Sequence, residues 1–274
     1  SMGASAGAAV RVADQQVVVS KLVSPWGLAF LPSGAALVSE RDTGQVLLIP
    51  GDGGGAPAQD LTAARVVGKV KGVRPGGEGG LLGIAVPTTT DGSEPDFIFA
   101  YFTGSRDNRV VKIAWDGSTL GRQTPIVTGI PKAGYHNGGR IIVGKNRTLF
   151  IATGDAGEPD DSQRLDSLAG KVLRVDFDGN PAPGNPFPDS PVYTLGHRNV
   201  QGLAFDRDGR LWATEFGTSI ADELNLLLPG RNYGWPLITY GLNYTTEPIG
   251  EGTHMPGLEQ PLWYYLPSIA VSPS

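Results

Sequence analysis

The chain has 274 residues, of which 40 are glycine, 22 are proline and none is cysteine, and its net charge is −5. Glycine at about twice its usual frequency favours a fold of short strands and tight turns over a helical bundle. The acidic balance argues against a nucleic-acid partner, the lack of cysteine excludes disulfides and thiolate chemistry, and the sequence lacks the run of about 18 apolar residues that a membrane-spanning helix needs.

The first residues have the composition of a linker. Ser1-Met2 is typical of a cloning remnant, and the small residues at 3–9 are typical of a flexible segment behind a removed signal or lipid-anchor sequence. We therefore divide the chain into a linker and first-strand region, 1–19, and one domain, 20–274. The same run predicts export, whether to a periplasm, to the cell surface or to the medium.

One pattern recurs along the chain. The segment GLAF at 27–30 returns at 202–205, and in both places a glycine turn and a strand-like segment ending in glutamate follow. Looser copies start at positions 83 and 141, and a fifth begins at 269. Each copy predicts a β-hairpin, and intervals of 56 to 67 residues hold four short strands with their loops, which make one propeller blade.

The alternative to a repeat is chance similarity among glycine-rich hairpins. Five copies in regular order favour the propeller, and the segments do not show the 3.6-residue period of helical repeats. Four complete copies and the start of a fifth do not close a ring. We therefore expect an all-β chain that covers four to five blades and leaves strand edges and a blade face uncovered.

Two polar residues flank the third hairpin. His136 precedes its first strand and Asp155 follows its second strand. Such positions lie at the same end of an antiparallel pair, where the carboxylate can orient the imidazole as a base. The alternative is a surface histidine and a turn aspartate. His254 stands alone in a polar loop, and we interpret it as a surface residue.

Two later loops are rich in polar groups. The loop before the fourth copy carries Arg198 and Asn199, which suit an anionic or carbonyl-rich ligand; a solvated loop arginine is the alternative. The loop that follows the second strand of that copy offers carbonyls and carboxylates, among them Asp222 and Glu223. These are oxygen ligands of the kind that calcium prefers, and the alternative is an acidic, solvated loop.

A set of short segments, taken in order, resembles the soluble glucose/sorbosone dehydrogenase family. Single segments are weak signals, whereas the ordered set is fairly specific and spans about residues 20 to 274. The matching segments are PWGLAF at 25–30, GGLLG at 79–83, HNGGR at 136–140, GD at 154–155, AGKVLR at 169–174, GHRN at 196–199, ELN at 223–225 and NYGWP at 232–236. The resemblance implies a six-bladed β-propeller of four-stranded blades.

The resemblance also implies a chemistry. Members of the family hold pyrroloquinoline quinone (PQQ) and calcium over the propeller axis, oxidise aldose sugars at the anomeric carbon to the lactone, and pass the electrons to an external acceptor. By this resemblance, His136 is the general base that takes the hydroxyl proton while hydride passes to the quinone, and Asp155 orients it. Arg198 and Asn199 contact the quinone, with Arg198 near the carbonyl oxygen where charge develops.

The implied calcium ligands are the backbone carbonyls of Gly217 and Thr218, and a second, structural calcium would involve Asp222 and Glu223. Two positions depart from the family pattern. Glu78 faces the cofactor where the family often has glutamine, and its carboxylate repels a tricarboxylate unless it is protonated or paired. Thr218 stands where some members have proline, a change that a carbonyl ligand tolerates. Later lysine and arginine contacts to the cofactor are expected beyond residue 274.

Two other functions compete with the dehydrogenase. The first is a non-catalytic propeller that binds a carbohydrate or a protein, because Glu78 departs from the family pattern and one fold serves many functions. The second is a calcium-dependent propeller lactonase, which requires a central metal held by side-chain carboxylates such as Asp222 or Glu223.

Overall fold

The computed structural model describes residues 17–51, 64–89, 91–218, 220–242 and 247–270. Its strands form four antiparallel sheets, each made of four strands that are consecutive in the chain. The strands are β1 (Pro25–Phe30), β2 (Ala36–Glu40), β3 (Gln45–Ile49), β4 (Arg65–Lys69), β5 (Leu81–Ala85), β6 (Phe97–Thr103), β7 (Asn108–Trp115), β8 (Leu120–Ile130), β9 (Ile141–Gly144), β10 (Thr148–Ala152), β11 (Lys171–Asp176), β12 (Val192–Leu195), β13 (Val200–Phe205), β14 (Leu211–Glu215), β15 (Asp222–Leu227) and β16 (Trp263–Tyr265).

The first hairpins of the first and fourth sheets have the same turn. Leu31 N–H donates to the carbonyl of Ala35 at 2.8 Å, and Asp206 N–H donates to that of Arg210 at 3.0 Å. The turn glycines, Gly34 and Gly209, have φ angles of 82° and 79°. Only glycine adopts this left-handed backbone at no steric cost, so the repeated glycine specifies the repeated turn.

The first strands of the four sheets contact one another in succession, β1 with β5, β5 with β9, and β9 with β13. Glycine permits the close approach, because a Cβ on Gly83 would lie 2.2 Å from the carbonyl oxygen of Gly139. Four meandering sheets joined through their first strands are four blades of a propeller. The all-β propeller and the starts of its four complete copies are therefore confirmed.

Apolar clusters fill the spaces between successive blades. Leu37 packs with Leu81 between the first and second blades, Leu149 with Tyr101 between the second and third, and Leu203 with Phe150 between the third and fourth. Within the described residues the outward sides of the end blades are only partly covered, with Val18 and Leu22 packed over Val38 on the first blade. Their exposed apolar side chains are Leu28 and Phe30 on β1, and Leu262, Trp263, Leu266 and Ile269 around β16.

The predicted fifth hairpin is only partly described. Ile269 and Ala270 form no strand, and positions 271–274 lie outside the described residues, as do positions 1–16 of the predicted linker. Within the described ranges the helical structure is the 3-10 turn Pro159–Gln163, and no described helix has the length and apolarity of a membrane span.

Candidate functional site

His136 and Asp155 meet at one end of the third blade, as the hairpin predicts. Ile151 of β10 pairs with Ile141 of β9, so the residues that precede β9 and follow β10 leave the sheet together. Glycine lets the two loops touch, because a Cβ on Gly154 would lie 1.9 Å from the carbonyl oxygen of His136. The local sequence therefore forces the contact between the two loops.

The Asp155 carboxylate is 1% exposed and accepts three hydrogen bonds. Its Oδ1 lies 2.7 Å from His136 Nδ1 and 2.9 Å from the backbone nitrogen of Gly157, and its Oδ2 lies 2.9 Å from Trp235 Nε1. A carboxylate accepts and does not donate, so the neutral His136 ring carries its proton on Nδ1. Its Nε2 is then the acceptor, and none of the described residues bonds to it.

The His136 ring is held on the cleft side by its backbone. Its φ of 53° lies in the left-handed region that non-glycine residues seldom adopt. The backbone N–H donates to Glu78 Oε2 at 2.8 Å, and the edge of the imidazole meets the Tyr135 ring at 4.7 Å between centroids. The next residue, Asn137, is anchored from below, because its carbonyl accepts from the buried hydroxyl of Tyr101 at 2.8 Å. Strain at His136 is thus balanced by contacts on both sides.

Arg198 and Asn199 link the third blade to the fourth. The buried Arg198 guanidinium lies 5.5 Å from the Trp235 ring and donates to the carbonyls of Phe216 and Gly217. Asn199 is also buried, and its amide oxygen accepts from the backbone of Gly138 at 3.0 Å. Arg198 therefore presents charge to the site, whereas the Asn199 oxygen holds the glycine loop behind His136.

These loops enclose an open cleft of about 550 Å³. It gathers five of the residues predicted for the site and adds an aromatic and apolar rim. The lining residues are Glu78, Tyr135, His136, Asp155, Gly157, Pro159, Arg198, Thr218, Trp235, Pro236 and Ile249. An open cleft with one buried cation, one positioned imidazole and aromatic walls suits a flat or ring-shaped polar ligand.

The residues predicted to hold calcium are divided between two places. Thr218 lines the cleft and Gly217 lines a small cavity beside it, where the Gly217 carbonyl already accepts from Arg198. Asp222 accepts from the backbone of Gly217 at 3.2 Å, from the hydroxyl of Ser268 at 2.8 Å and from the backbone of Ile269 at 2.9 Å. Among the described residues, no three acidic or histidine side chains are grouped to hold a metal.

Glu223 lies behind the cleft, where it lines a small cavity with Arg198, Glu215 and Tyr233. Burial raises the pKa of Glu223, and the neighbouring carboxylates of Glu215 and Asp222 raise it further. A carboxyl group that is costly to ionise becomes an anion readily when a cation arrives beside it. Among the carboxylates of this region, Glu223 is therefore the one that would lose its proton when a cation binds beside it.

A second histidine–carboxylate pair lies deeper in the protein. His197 is 0% exposed, with Nδ1 at 2.9 Å from Glu215 Oε2 and Nε2 at 2.8 Å from the hydroxyl of Thr194. Its ring stacks on Tyr233 at 4.8 Å. Both ring nitrogens are occupied, so this histidine holds the core together and has no nitrogen left for a ligand.

A buried lysine joins the two pairs. Lys171 Nζ donates to the carbonyls of Asp161, Ser162 and Ala169 at 2.8, 3.1 and 2.6 Å. The Ser162 hydroxyl in turn donates to the carbonyl of His197 at 2.9 Å. Burial lowers the pKa of Lys171 to about 8. The ammonium group therefore fixes the segment that follows Asp155 against the loop of His197.

Three contributors to the site carry no role in the sequence-based prediction. Trp235 is 80 positions from Asp155, and the NYGWP segment gave only a family resemblance, with no partner for its indole. Tyr135 directly precedes the HNGGR segment, and Lys171 lies within the AGKVLR segment. Their roles depend on ring orientation and burial, which residue spacing does not encode. His254 is exposed, as predicted.

Residues 22–274 match the family model described as Glucose / Sorbosone dehydrogenase. The PQQ-bound form of an aldose sugar dehydrogenase from Streptomyces coelicolor is 43% identical, with a TM-score of 0.78, and the match covers 92% of this chain and 70% of that chain. Aldose sugar dehydrogenase YliI of Escherichia coli is 31% identical over 97% of this chain and 73% of its own length. Quinoprotein glucose dehydrogenase B of Acinetobacter calcoaceticus is 30% identical over 81% of this chain and 52% of its own length.

Proposed function

The chain belongs to the glucose/sorbosone dehydrogenase family, and from that membership we propose that it oxidises aldose sugars at the anomeric carbon to lactones, using PQQ and calcium. One observation carries the proposal. His136 presents an unoccupied Nε2 to the cleft while Asp155, itself held by Trp235, fixes the other ring nitrogen. This is the arrangement that a general base requires.

His136 would take the proton of the anomeric hydroxyl on Nε2, and Asp155 would balance the positive charge that then develops on the ring. Because Asp155 accepts from Gly157 and Trp235 as well, the carboxylate does not need to move as the imidazole becomes charged. A base that is oriented in advance loses no energy to reorganisation during proton transfer.

The residues of the cleft fit PQQ, a flat tricarboxylate. When bound, PQQ would supply the two-electron acceptor for the hydrogen on the anomeric carbon. Arg198 would hold it by charge, and Trp235 and Tyr135 would offer flat walls. Glu78 is the unfavourable neighbour, but its carboxylate is partly paired because it accepts from the backbone of His136. Asn199, which the resemblance assigns to the cofactor, would act from behind the glycine loop.

Calcium would bind at the carbonyls of Gly217 and Thr218. In the structure the Gly217 carbonyl accepts from the Arg198 guanidinium, so this carbonyl already faces a cation. Calcium would either share this carbonyl with the Arg198 guanidinium or replace the guanidinium there. Glu223 and Asp222 remain our candidates for a second, structural ion, with Glu223 the more available because Asp222 holds three donors.

The complete ring would have six blades. The match covers 70% of the Streptomyces coelicolor relative. The four blades described here would be two thirds of a six-bladed ring, which is close to that share. Export of the protein and transfer of the electrons to an external acceptor belong to the same proposal. Export is proposed from the small-residue run at 3–9, which lies outside the described residues, and the external acceptor from the family resemblance.

The test is reduction of an artificial dye by aldoses after addition of PQQ and calcium, both on this chain and on a longer natural chain that contains it. We expect PQQ to bind saturably and the rate to depend on the aldose and on calcium. Folded protein that binds an aldose but no PQQ, in both chains, would contradict the dehydrogenase and favour a carbohydrate-binding propeller. Glu78→Gln is the matched variant, and it should tighten PQQ binding because it removes a like charge.

A further inference from the structure

A second cleft, of about 970 Å³, lies at the end of the blades opposite to His136. Strands β9 and β13 begin beside His136 and Asn199 and run away from them. The turns at their far ends, 145–147 and 206–209, line the second cleft. The proposed dehydrogenase reaction uses nothing at this end of the molecule, so the residues that gather there need a separate explanation.

The second cleft carries unbalanced positive charge. Four of its lining residues are basic, and none of them forms an ion pair within the described ranges; they are Lys145, Arg147, Arg174 and Arg207. The two acidic residues of the lining are already paired, because Asp206 binds Arg210 Nε at 2.6 Å and Asp208 lies 3.1 Å from Arg210 Nη2. A cleft with this balance attracts anions.

Arg147 occupies a backbone position that glycine would suit better. In the matching turns of the first and fourth blades the left-handed residue is Gly34 or Gly209, whereas in the third blade Asn146 and Arg147 have φ angles of 56° and 54°. Arg147 accepts this strain, and its guanidinium lies 4.8 Å from the Phe177 ring in the wall of the cleft. Two successive left-handed residues are common in tight hairpin turns, where the second is usually glycine, so arginine at 147 departs from the usual turn residue.

The walls between the charges are aromatic. Phe150 meets Tyr193 at 5.1 Å and Phe205 at 5.6 Å between ring centroids, and Arg174 lies 5.9 Å from the Phe150 ring. Arg174 is also held by the carbonyl of Pro183 at 3.1 Å. Arg147 and Arg174 are thus held against buried rings, and Phe205, which is 39% exposed, is the flat apolar surface open to a ligand.

We infer that this second cleft binds a planar organic anion, a ring system that bears a carboxylate, sulfonate or phosphate. The exposed ring of Phe205 would stack on the ligand's ring, and Arg147, Arg174 and Arg207 would bind the anionic group. Arginine is suited to this task because its planar fork donates two hydrogen bonds to one anion. The inference does not depend on the dehydrogenase activity, because no residue of the His136 cleft takes part.

The test uses 2-naphthoate as the probe, titrated calorimetrically into the whole chain. We expect saturable binding that weakens about tenfold in Arg147→Gly and in Arg207→Gln, since each loses a charge-assisted contact. Arg122→Gln, an exposed arginine of β8 outside the cleft, is the matched control and should change the affinity less than twofold. His136→Gln should leave naphthoate binding unchanged, which separates this site from the proposed active site.

Two comparisons decide the outcome. Arg147→Gly should keep or raise the melting temperature, because glycine relieves the left-handed strain, so a loss of binding there is not a loss of fold. The uncharged 2-naphthylmethanol should bind at least tenfold more weakly than naphthoate. Equal binding of the alcohol and the anion, or naphthoate binding that survives both arginine variants, would place the probe elsewhere, on the uncovered blade faces or in the His136 cleft, and overturn the inference.

Discussion

Two histidine–carboxylate pairs of almost equal geometry lie in adjacent parts of this protein and differ in their surroundings. His136 bonds to Asp155 at 2.7 Å and His197 to Glu215 at 2.9 Å, each through Nδ1. The His136 side chain is 14% exposed in a cleft, whereas His197 is sealed and its Nε2 meets Thr194. The pairing itself therefore does not identify a base. The second ring nitrogen, open or occupied, separates the two.

The surroundings of the pairs differ in the same sense. Around His136 the backbone is strained, the neighbouring loops are glycine-rich, and Tyr135 is exposed beside the ring. Around His197 the ring stacks on Tyr233, and Glu215 is bound by the backbone of Arg198 as well. Contacts that favour stability surround one pair, and contacts that favour access surround the other.

Asp155→Asn should give the largest change among the supporting residues, a fall of about 100-fold in the rate of aldose oxidation. The amide no longer requires a proton on His136 Nδ1, so Nε2 ceases to be the fixed acceptor. The chain has three histidines, so nitrogen-15 NMR of labelled histidine reports the tautomer directly. A His136 ring that keeps its Nδ1 proton in this variant would show that Asp155 does not set the tautomer.

His197→Phe should act on stability and leave the chemistry intact. The variant removes a donor from the buried carboxylate of Glu215, and we expect a loss of about 3 kcal/mol in the free energy of unfolding. Urea denaturation measures the loss, with the exposed His254→Gln as a control that should shift it by less than about 0.5 kcal/mol. An unchanged stability in His197→Phe would show that the buried pair does not hold the core together.

Lys171→Met tests the segment between the two pairs through the pH dependence of the free energy of unfolding. The unfolded chain keeps the lysine proton up to about pH 10.5, whereas burial lowers the folded pKa to about 8 against the opposing effects of Asp161 and Asp166. Between these values the unfolded state binds more protons, so the stability contributed by Lys171 rises with pH. Wild type should gain about 2 kcal/mol over Lys171→Met from pH 8 to 10 in urea denaturation. Parallel profiles would show that burial does not lower the pKa of Lys171.

Local pattern was sufficient to predict the blades and the His136–Asp155 contact. The repeated GLAF segments and turn glycines encode hairpins, and antiparallel pairing places the residue before one strand beside the residue after its partner. The indole bond from Trp235 to Asp155 joins the fourth blade to the third, whereas the bonds from Arg198 to the carbonyls of Phe216 and Gly217 lie at one end of a single hairpin. Contacts between blades depend on how the ring brings loops together, which the order of residues does not specify.

The difference between the two histidines was equally beyond the sequence. Both stand before first strands of blades, each with a carboxylate at the end of the next strand, and spacing treats them alike. Burial separates them, and burial follows from the stacking of Tyr233 and from the Lys171 contacts beneath the loop. In the sequence analysis His197 appears only within the GHRN family segment. Its structural role becomes visible only when the side-chain positions are known.

The most direct measurement is the single-turnover reduction of the PQQ-loaded, calcium-loaded protein by glucose, compared between wild type and His136→Gln, with PQQ affinity measured on the same samples. We expect the variant to bind PQQ within about threefold of wild type and to be reduced at least about 1,000-fold more slowly, because it keeps the cleft and loses the base. Equal rates at equal PQQ occupancy would contradict the assignment of His136 as the base.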